Sequence, residues 1–443
     1  MSGVGDHVIG VDVGSSGARA IAVDAEGAIL AEASTPYDGA MTWERGYADP
    51  GAWLDAVGEA HAAVSGQIAG TGRARAVGIG GQNPTTVDAD GTLAVTYRHP
   101  EGSTDSLAGD YEAQHRVLLR EVDPHATPFQ VWPWIVHRLG RCGHIQGLWP
   151  GLEPIPGYGD PIPAATRVGE SDGGYGIAPG TPLVLGGEDA YLAFWAAGID
   201  SPGRGLDPGG RTGGLGVAAA SGELPATMYS LSSAAEGVSI VGGPVTAHGL
   251  ILEWWASLTG TSVPALLALA ADSPPGANGV MALPYLDGER APRWNPDLRA
   301  ELVGLGSGTT AADIARALLE ATAFGLAHIA RDLGDAAITL DRLVCAGSPS
   351  RSHLWCAIKA SVLEVPVEVP RYPELAAYGA ALAAGAACGW WPAPGAGASG
   401  DWPRPPVQVI DPEPAEVYRS GLDRFIALGD DSSRRIDAAH DDA

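Results

Sequence analysis

Residues Leu183 to Val217 read LVLGGEDAYLAFWAAGIDSPGRGLDPGGRTGGLGV. An apolar run, Leu183 to Leu185, meets two glycines and then a carboxylate pair, Glu188 and Asp189. An apolar segment with helical character follows, Ala190 to Ala197, and the chain then turns through Gly209, Gly210, Gly213 and Gly214. A carboxylate at the mouth of a strand, opposite a glycine-rich loop, suits phosphoryl transfer. The acid can take a hydroxyl proton, and glycine backbone lets N–H groups approach phosphate oxygens. The same residues also allow a solvated acid at a strand end beside an ordinary turn, and on their own they do not choose.

Working outward, Val8–Val13 (VIGVDV) is an apolar run that ends in Asp12 and opens into Gly14, Ser15, Ser16 and Gly17. Two further short runs, Ala20–Val23 and Ala28–Ala31, make this a strand, a tight turn and a meander. The turn can cradle a phosphate or be a plain hairpin tip. Trp53, Val57, Ala60 and Val64 share one face of a helix over Pro50–Ile68. Ala76–Gly80 reads as a buried strand running into Gln82 and Asn83, polar residues at the strand end where open α/β sheets bind ligands. Residues 97–165 are rich in Pro, Gly, Trp and His, with a helix expected around Tyr111–Glu121. His99, His115, His125, His137 and His144 fall into no metal spacing and read as surface or core residues.

Downstream, strands are expected at Val238–Val245, Leu343–Ala346 and Val365–Val369, and helices at Gly249–Leu258, Ala311–Leu333, Ser352–Leu363 and Pro373–Cys388. Thr309 or Thr310 caps the second of these helices. The tail beyond Trp390 is Pro-rich and then acidic, and is expected to fray. One internal echo stands out: Asp12-Val13-Gly14-Ser15-Ser16-Gly17 resembles Asp207-Pro208-Gly209-Gly210-Arg211-Thr212-Gly213. Two similar α/β halves with facing turns would clamp a polyphosphate, although a match this short also arises by chance.

The chain has 443 residues, long enough for two or three domains. Its 52 acidic and 26 basic residues give a net charge of −26, which argues against nucleic-acid or anionic-membrane partners. The four cysteines show no CxxC spacing, so a reduced cytoplasmic setting without a zinc site is expected. The N-terminus lacks the pattern of a signal peptide. The Ala-rich run Leu375–Cys388 reads as a buried helix rather than a membrane span.

Taken together, these motifs resemble those of the FGGY carbohydrate kinases, a branch of the actin and Hsp70-like ATPase fold. The resemblance runs from about Ile9 to Leu428 and is weak between Leu93 and Pro163. The first phosphate motif is Asp12-Val13-Gly14-Ser15-Ser16, the strand-end motif Gly186-Gly187-Glu188-Asp189, and the second phosphate turn Gly210-Arg211-Thr212-Gly213. The Leu-Pro-Tyr-x-x-Gly-Glu-Arg-x-Pro motif is intact from Leu283 to Pro292. Glu320, Ala323, Phe324 and Gly325 match the long-helix motif, and Ala377-Tyr378-Gly379-Ala380-Ala381 the closing one. Three features depart from the pattern. Arg211 replaces a hydroxyl residue, and Ser348 and Pro349 replace glycines of the adenosine loop Gly347-Ser348-Pro349-Ser350. The family's Trp-x-Asp-x-Arg segment is not recognisable.

The resemblance implies two actin-like (ribonuclease H-like) α/β domains with an interdomain cleft, expected over residues 1–225 and 226–443. It implies an ATP- and Mg²⁺-dependent kinase of a small sugar or polyol, most like pentulose kinases such as xylulokinase. Asp189 is then the general base, and Asp12 with Asp189 the metal carboxylates. Gln82, Asn83, Glu188 and Asp189 would hold the acceptor. Gly14, Ser15, Ser16, Arg19, Gly210, Arg211, Thr212, Gly213, Gly347, Ser348 and Ser350 would hold the nucleotide. Rival readings are a kinase of glycerol, gluconate or another polyol, a silent sugar or nucleotide sensor, and an actin-like filament or chaperone ATPase. A homodimer is left open as the assembly.

Overall fold

The run His7–Val13 forms a strand in which every residue is buried, and Gly17–Asp24 turns back antiparallel beside it, as the alternation of apolar runs and a Gly/Ser turn predicts. A computed structural model describes the chain over residues 5–37, 46–70, 72–102, 107–220, 225–413 and 415–441. It forms two units, one of Met1–Asp200, Ser232–Glu236 and Glu374–Pro405, the other of Ser201–Leu231, Gly237–Pro373 and Pro406–Ala443.

In the first unit the sheet order is Arg167–Glu170, Pro182–Glu188, Ala74–Gly81, His7–Val13, Gly17–Asp24, Ile29–Pro36. Strands 7–13, 74–81 and 182–188 run parallel, and their register brings Val13 opposite Gly81 and Gly81 opposite Glu188. Three carboxyl ends, those carrying Asp12, Gln82–Asn83 and Glu188–Asp189, therefore finish at one edge of the sheet. The helix Pro50–Gln67 covers one face through Trp53, Leu54, Val57, Ala60 and Val64, with Asp49 as N-cap accepting from the Gly51 N–H at 2.8 Å. Burying each such large apolar side chain contributes about 1.5–3 kcal/mol. The helix Leu375–Ala387 is built almost wholly of small residues because it lies very close to the sheet. A Cβ on Gly10 would stand 2.1 Å from the Ala377 carbonyl oxygen, and one on Gly78 2.1 Å from that of Ala380.

The second unit repeats the topology. Its seven-stranded sheet begins with the edge strand Tyr229–Ser232 and continues Val238–Val245, Gly213–Ala220, Arg204–Asp207, Arg342–Cys345, Val367–Pro370, Val407–Ile410. Strand 204–207 pairs antiparallel with 213–220 and parallel with 342–345, just as 7–13 pairs with 17–24 and 74–81 in the first unit. The sequence echo of Asp12 and Asp207 is thus an echo of position: each acid closes the first strand of its sheet before a glycine turn. The long helix Ala311–Asp335 starts with a capping box between Thr310 and Asp313.

The tail departs from expectation. Val407–Ile410 is an edge strand, and Glu416–Asp441 is a helix, not a frayed end. Tyr418 and Phe425 are buried, and the Phe425 ring lies 5.7 Å from that of Phe324 on helix 311–335. Apolar residues at Tyr418, Leu422, Phe425 and Ile426 give this helix a packing face that its acidic composition obscures. Residues 97–165, left largely unassigned from sequence, contain the helices Leu107–Glu121 and Val131–Gly140, the second burying Trp132 and Trp134. Among the described residues no helix is long and apolar enough to cross a membrane.

Candidate functional site

In the first unit, apolar strands ending together at one sheet edge leave their terminal polar residues as neighbours. Asp12 is buried, with Oδ2 3.8 Å from Arg19 Nη1 and Oδ1 without a hydrogen-bond partner among the described residues. Burial pushes its carboxyl up to about 6, Arg19 opposing and Glu374 adding to the rise. Asp189 is the first residue of the helix Asp189–Ala196, and its Oδ1 accepts the Ala190 N–H at 2.8 Å. Burial and then the charge of Asp12 push Asp189 up to about 7. Glu188 is buried, and burial and the charge of Asp189 raise its carboxyl as well.

Asn83 Nδ2 donates to Glu188 Oε2 at 2.5 Å, while the Tyr111 hydroxyl donates to Asn83 Oδ1. The second bond fixes which way the amide faces. Glu188 Oε1 has no partner among the described residues, nor do Thr85 Oγ1 and both amide atoms of Gln82, which is 1% exposed. An unsatisfied buried polar group costs about 1–3 kcal/mol, so several at one strand edge are atoms that a polar ligand can partner. The first turn lies beside them. Ser15 and Ser16 are exposed, and Arg19 donates to Ser16 Oγ at 3.0 Å and pairs with Glu374 at 2.8 Å. Among the described residues no group of three or more His, Cys, Asp or Glu forms a metal cluster. The free Oδ1 of Asp12 and the Asp189 carboxylate are nevertheless hard oxygen donors of the kind Mg²⁺ takes alongside water and phosphate.

In the second unit, the carbonyls of Gly210 and Arg211 accept N–H groups from the start of the helix Gly249–Thr259: Gly249 to Gly210 at 3.0 Å, His248 and Leu250 to Arg211 at 3.0 and 2.9 Å. In a trans peptide the N–H points opposite to its C=O, so the N–H groups of Arg211 and Thr212 face away from that helix. The second turn therefore presents donors of the kind a phosphate binds. Gly209 has a φ of +66°, and a Cβ there would be 2.2 Å from the Ala346 carbonyl oxygen, so only glycine fits. The Arg211 guanidinium pairs with Glu253 at 3.1 Å.

The adenosine-loop stretch is one turn of 3₁₀ helix, Ser348–Arg351, entered through Gly347. Ser348 is exposed, Pro349 is buried, and Ser350 Oγ donates back to the Gly347 carbonyl at 2.7 Å. A cavity of about 400 Å³ opens alongside, lined by Ser350, Arg351, Arg371, Pro373 and Gln408 among others. The motif at 283–292 holds a neighbouring loop: Glu289 accepts the Arg290 N–H at 2.8 Å, and Arg290 Nη2 donates to the Val245 carbonyl at 3.0 Å.

The structure thus brings Asp12, Gln82, Asn83, Glu188 and Asp189 to one edge in the first unit, and Gly210–Gly213 and Gly347–Ser350 to one sheet end in the second. Sequence reasoning missed Tyr111, which reaches Asn83 from the helix Leu107–Glu121. It also missed the buried group Asp207, His248 and Lys359. Lys359 lies on the buried face of the helix His353–Leu363 with Trp355, Cys356 and Val362, and that spacing could have flagged it.

The family model described as FGGY family of carbohydrate kinases, C-terminal domain, matches residues 217–388. A glycerol kinase of Bordetella pertussis is 38% identical over 158 residues, 34% of this chain and 30% of that protein. A xylulose kinase of Staphylococcus epidermidis is 30% identical over 151 residues, 34% of this chain and 30% of that protein. The alignments with these curated relatives thus span under a third of their length. The crystal structure of xylulose kinase from Rhodospirillum rubrum superposes with a TM-score of 0.76 at 25% identity, over 95% of this chain and 98% of that one. The two-domain actin-like α/β fold therefore extends over nearly the whole chain, and residues 217–388 match the C-terminal domain of the FGGY family of carbohydrate kinases.

Proposed function

We propose that the protein is an ATP-dependent carbohydrate kinase that transfers the γ-phosphoryl group to a hydroxyl of a small neutral sugar or polyol, a pentulose such as xylulose being the first candidate. The observation that carries this reading is the meeting of Asp12, Glu188 and Asp189 with unpartnered polar atoms of Gln82 at one strand edge. Hydroxyl groups supply both donors and acceptors and would satisfy the Gln82 amide and Glu188 Oε1 together. A sugar acid such as gluconate fits less well, because its carboxylate would join three acids, and the Arg19 guanidinium beside Asp12 already pairs with Glu374.

In this reading the first unit holds the acceptor and the second the nucleotide. Asp189 takes the proton of the attacking hydroxyl, and a carboxyl brought to about 7 is matched to that work near neutral pH. Gln82, Asn83 and Glu188 orient the acceptor. Asp12 and Asp189 would hold Mg²⁺, which when bound supplies charge neutralisation at the transferring phosphoryl group. In the second unit Gly210, Arg211, Thr212 and Gly213, with Gly347, Ser348 and Ser350, would bind the nucleotide, and in the first unit the turn of Gly14, Ser15, Ser16 and Arg19 offers donors suited to a phosphate. Such a reaction asks the protein for positioning and electrostatics more than for covalent chemistry.

A second reading, a sugar or nucleotide sensor with little turnover, draws on Arg211, whose guanidinium is engaged by Glu253, and on Pro349 in the adenosine loop. A coupled assay of ADP release with MgATP across pentuloses, polyols and sugar acids separates the two. Turnover on one acceptor class supports the kinase. Binding of ATP or sugar without turnover on any of them supports the sensor.

A further inference from the structure

Of the 26 lysine and arginine residues in the chain, one is a lysine, Lys359, and its side chain is 0% exposed. Its Nζ lies 2.5 Å from Asp207 Oδ2, 3.0 Å from His248 Nε2 and 3.3 Å from Cys345 Sγ, and 4.9 Å from the centre of the Trp355 ring. His248 stacks on Trp355 at 5.1 Å and stands 3.3 Å from Asp207 Oδ2. Asp207 in turn accepts the Gly209 N–H on Oδ1 at 3.0 Å. The ammonium therefore joins the residue that opens the second glycine turn, the residue whose own N–H binds the Arg211 carbonyl within that turn, and the helix that follows the adenosine loop.

Asp12 and Asp207 hold the same place in two sheets of one topology, yet they are treated differently. Asp12 keeps an oxygen without a partner and has its cation at 3.8 Å. Asp207 has an ammonium in contact and a histidine beside it. Burial would push the Asp207 carboxyl up, but Lys359 overrides this and holds it well below the ordinary range. Taking two charges out of water costs several kcal/mol per ion, so a buried pair is a weak source of stability and is better understood as a device that fixes one arrangement. It also has an electrostatic consequence. A bare carboxylate under the turn would oppose an anionic ligand on the donors above it.

We propose that Lys359 is a positioning residue for the second phosphate turn, a resident cation that neutralises Asp207 and ties the Pro208–Gly213 turn to the helices 249–259 and 353–363. The proposal rests on the reading of that turn as the nucleotide's phosphate site, and the test separates the two. The double variant Lys359→Met/Asp207→Asn removes both charges at similar volume, so no unpaired ion stays buried. His248→Phe keeps the ring on Trp355 and removes only its polar link. Hydrogen exchange of the free protein should be at least tenfold faster at the turn amides of residues 209–213 in both variants. Peptides from strands 7–13 and 74–81 should be unchanged and melting temperatures should stay within a few degrees of wild type. MgATP should bind at least tenfold more weakly to the double variant, with KM for MgATP raised and kcat held within threefold. Exchange at the turn that matches wild type in a folded variant overturns the proposal, and so does unchanged MgATP affinity where wild type binds it. If the double variant does not fold, His248→Phe decides by the same exchange measurement. If wild type binds no MgATP, the kinase reading fails, and turn exchange still decides the role of Lys359.

Discussion

Asn83 donates to Glu188 Oε2 at 2.5 Å, and its amide is oriented by the Tyr111 hydroxyl on the far side. A carboxylate held in this way presents Oε1, not Oε2, as its remaining oxygen. Tyr111→Phe leaves the ring packing against Tyr158 in place, centroids 5.2 Å apart, and frees the amide to flip. The variant should fold as wild type and raise KM for the acceptor about five- to tenfold with kcat nearly kept, the loss of roughly one hydrogen bond of about 1 kcal/mol. Steady-state kinetics on the acceptor found by the screen check this, and an unchanged KM removes Tyr111 from the acceptor site.

Asp189→Asn should lower kcat by about 10²- to 10⁴-fold while acceptor binding, followed by calorimetry, survives. The same variant carries a stability prediction of definite sign. The folded protein holds the Asp189 proton up to about pH 7, whereas the unfolded chain releases it near 4. Stability linked to the neutral form is thus fully present below pH 4 and lost as pH rises through 7. Asparagine mimics the neutral form at every pH. The variant should therefore melt a few degrees above wild type at pH 8, and the gap should close near pH 4.5. A gap independent of pH would show that burial does not hold this carboxyl neutral.

How much of this was legible beforehand follows from range. Asp12, Gln82, Glu188 and Asp189 stand where an apolar run stops, a local pattern that sequence carries plainly. The strand register that aligns their ends involves residues up to about a hundred positions apart, and nothing local announces it. Tyr111 reaches Asn83 from a helix within the Pro- and Trp-rich stretch whose periodicity was hard to read. The tail helix was hidden by composition, since its acidic residues outweigh the apolar stripe through Tyr418, Leu422 and Phe425. Lys359 was hidden by its own chemistry, because a lysine is ordinarily placed outside.

The like charges of Asp12 and Asp189 make a third test. The activity of the free enzyme, as kcat/KM, should fall on acidification through about pH 7 as Asp189 takes up its proton. The charge of Asp12 raises the Asp189 carboxyl, so Asp12→Asn should move this acid limb to lower pH even as it lowers the maximum rate. It should also raise the Mg²⁺ concentration needed for half-maximal turnover. A pH–rate profile with an unmoved limb, or an unchanged Mg²⁺ titration, separates Asp12 from the base or from the metal.

The loop Gly347–Ser350 divides Ser348 and Pro349 between different tasks. Ser348 is exposed, whereas Pro349 is buried and turned toward the second phosphate turn, where a Cβ on Gly209 would come 2.9 Å from its Cδ. The two substitutions should therefore act differently, although they are adjacent. Pro349→Gly removes a ring that fixes φ at the start of the 3₁₀ turn and adds freedom to the unfolded chain, costing on the order of 1 kcal/mol. It should lower the melting temperature and, by loosening the support of Gly209, weaken MgATP binding severalfold. Ser348→Gly removes only an exposed side chain. It should leave the melting temperature alone and change the discrimination between ATP and other nucleoside triphosphates, because the surface a base would meet is the part altered. Acceptor preference should be untouched in both. Calorimetry with ATP, GTP and CTP on the two single variants reads this directly. Equal effects of the two on stability and on nucleotide choice would mean that the loop acts as one rigid cap and that the base is held by other residues.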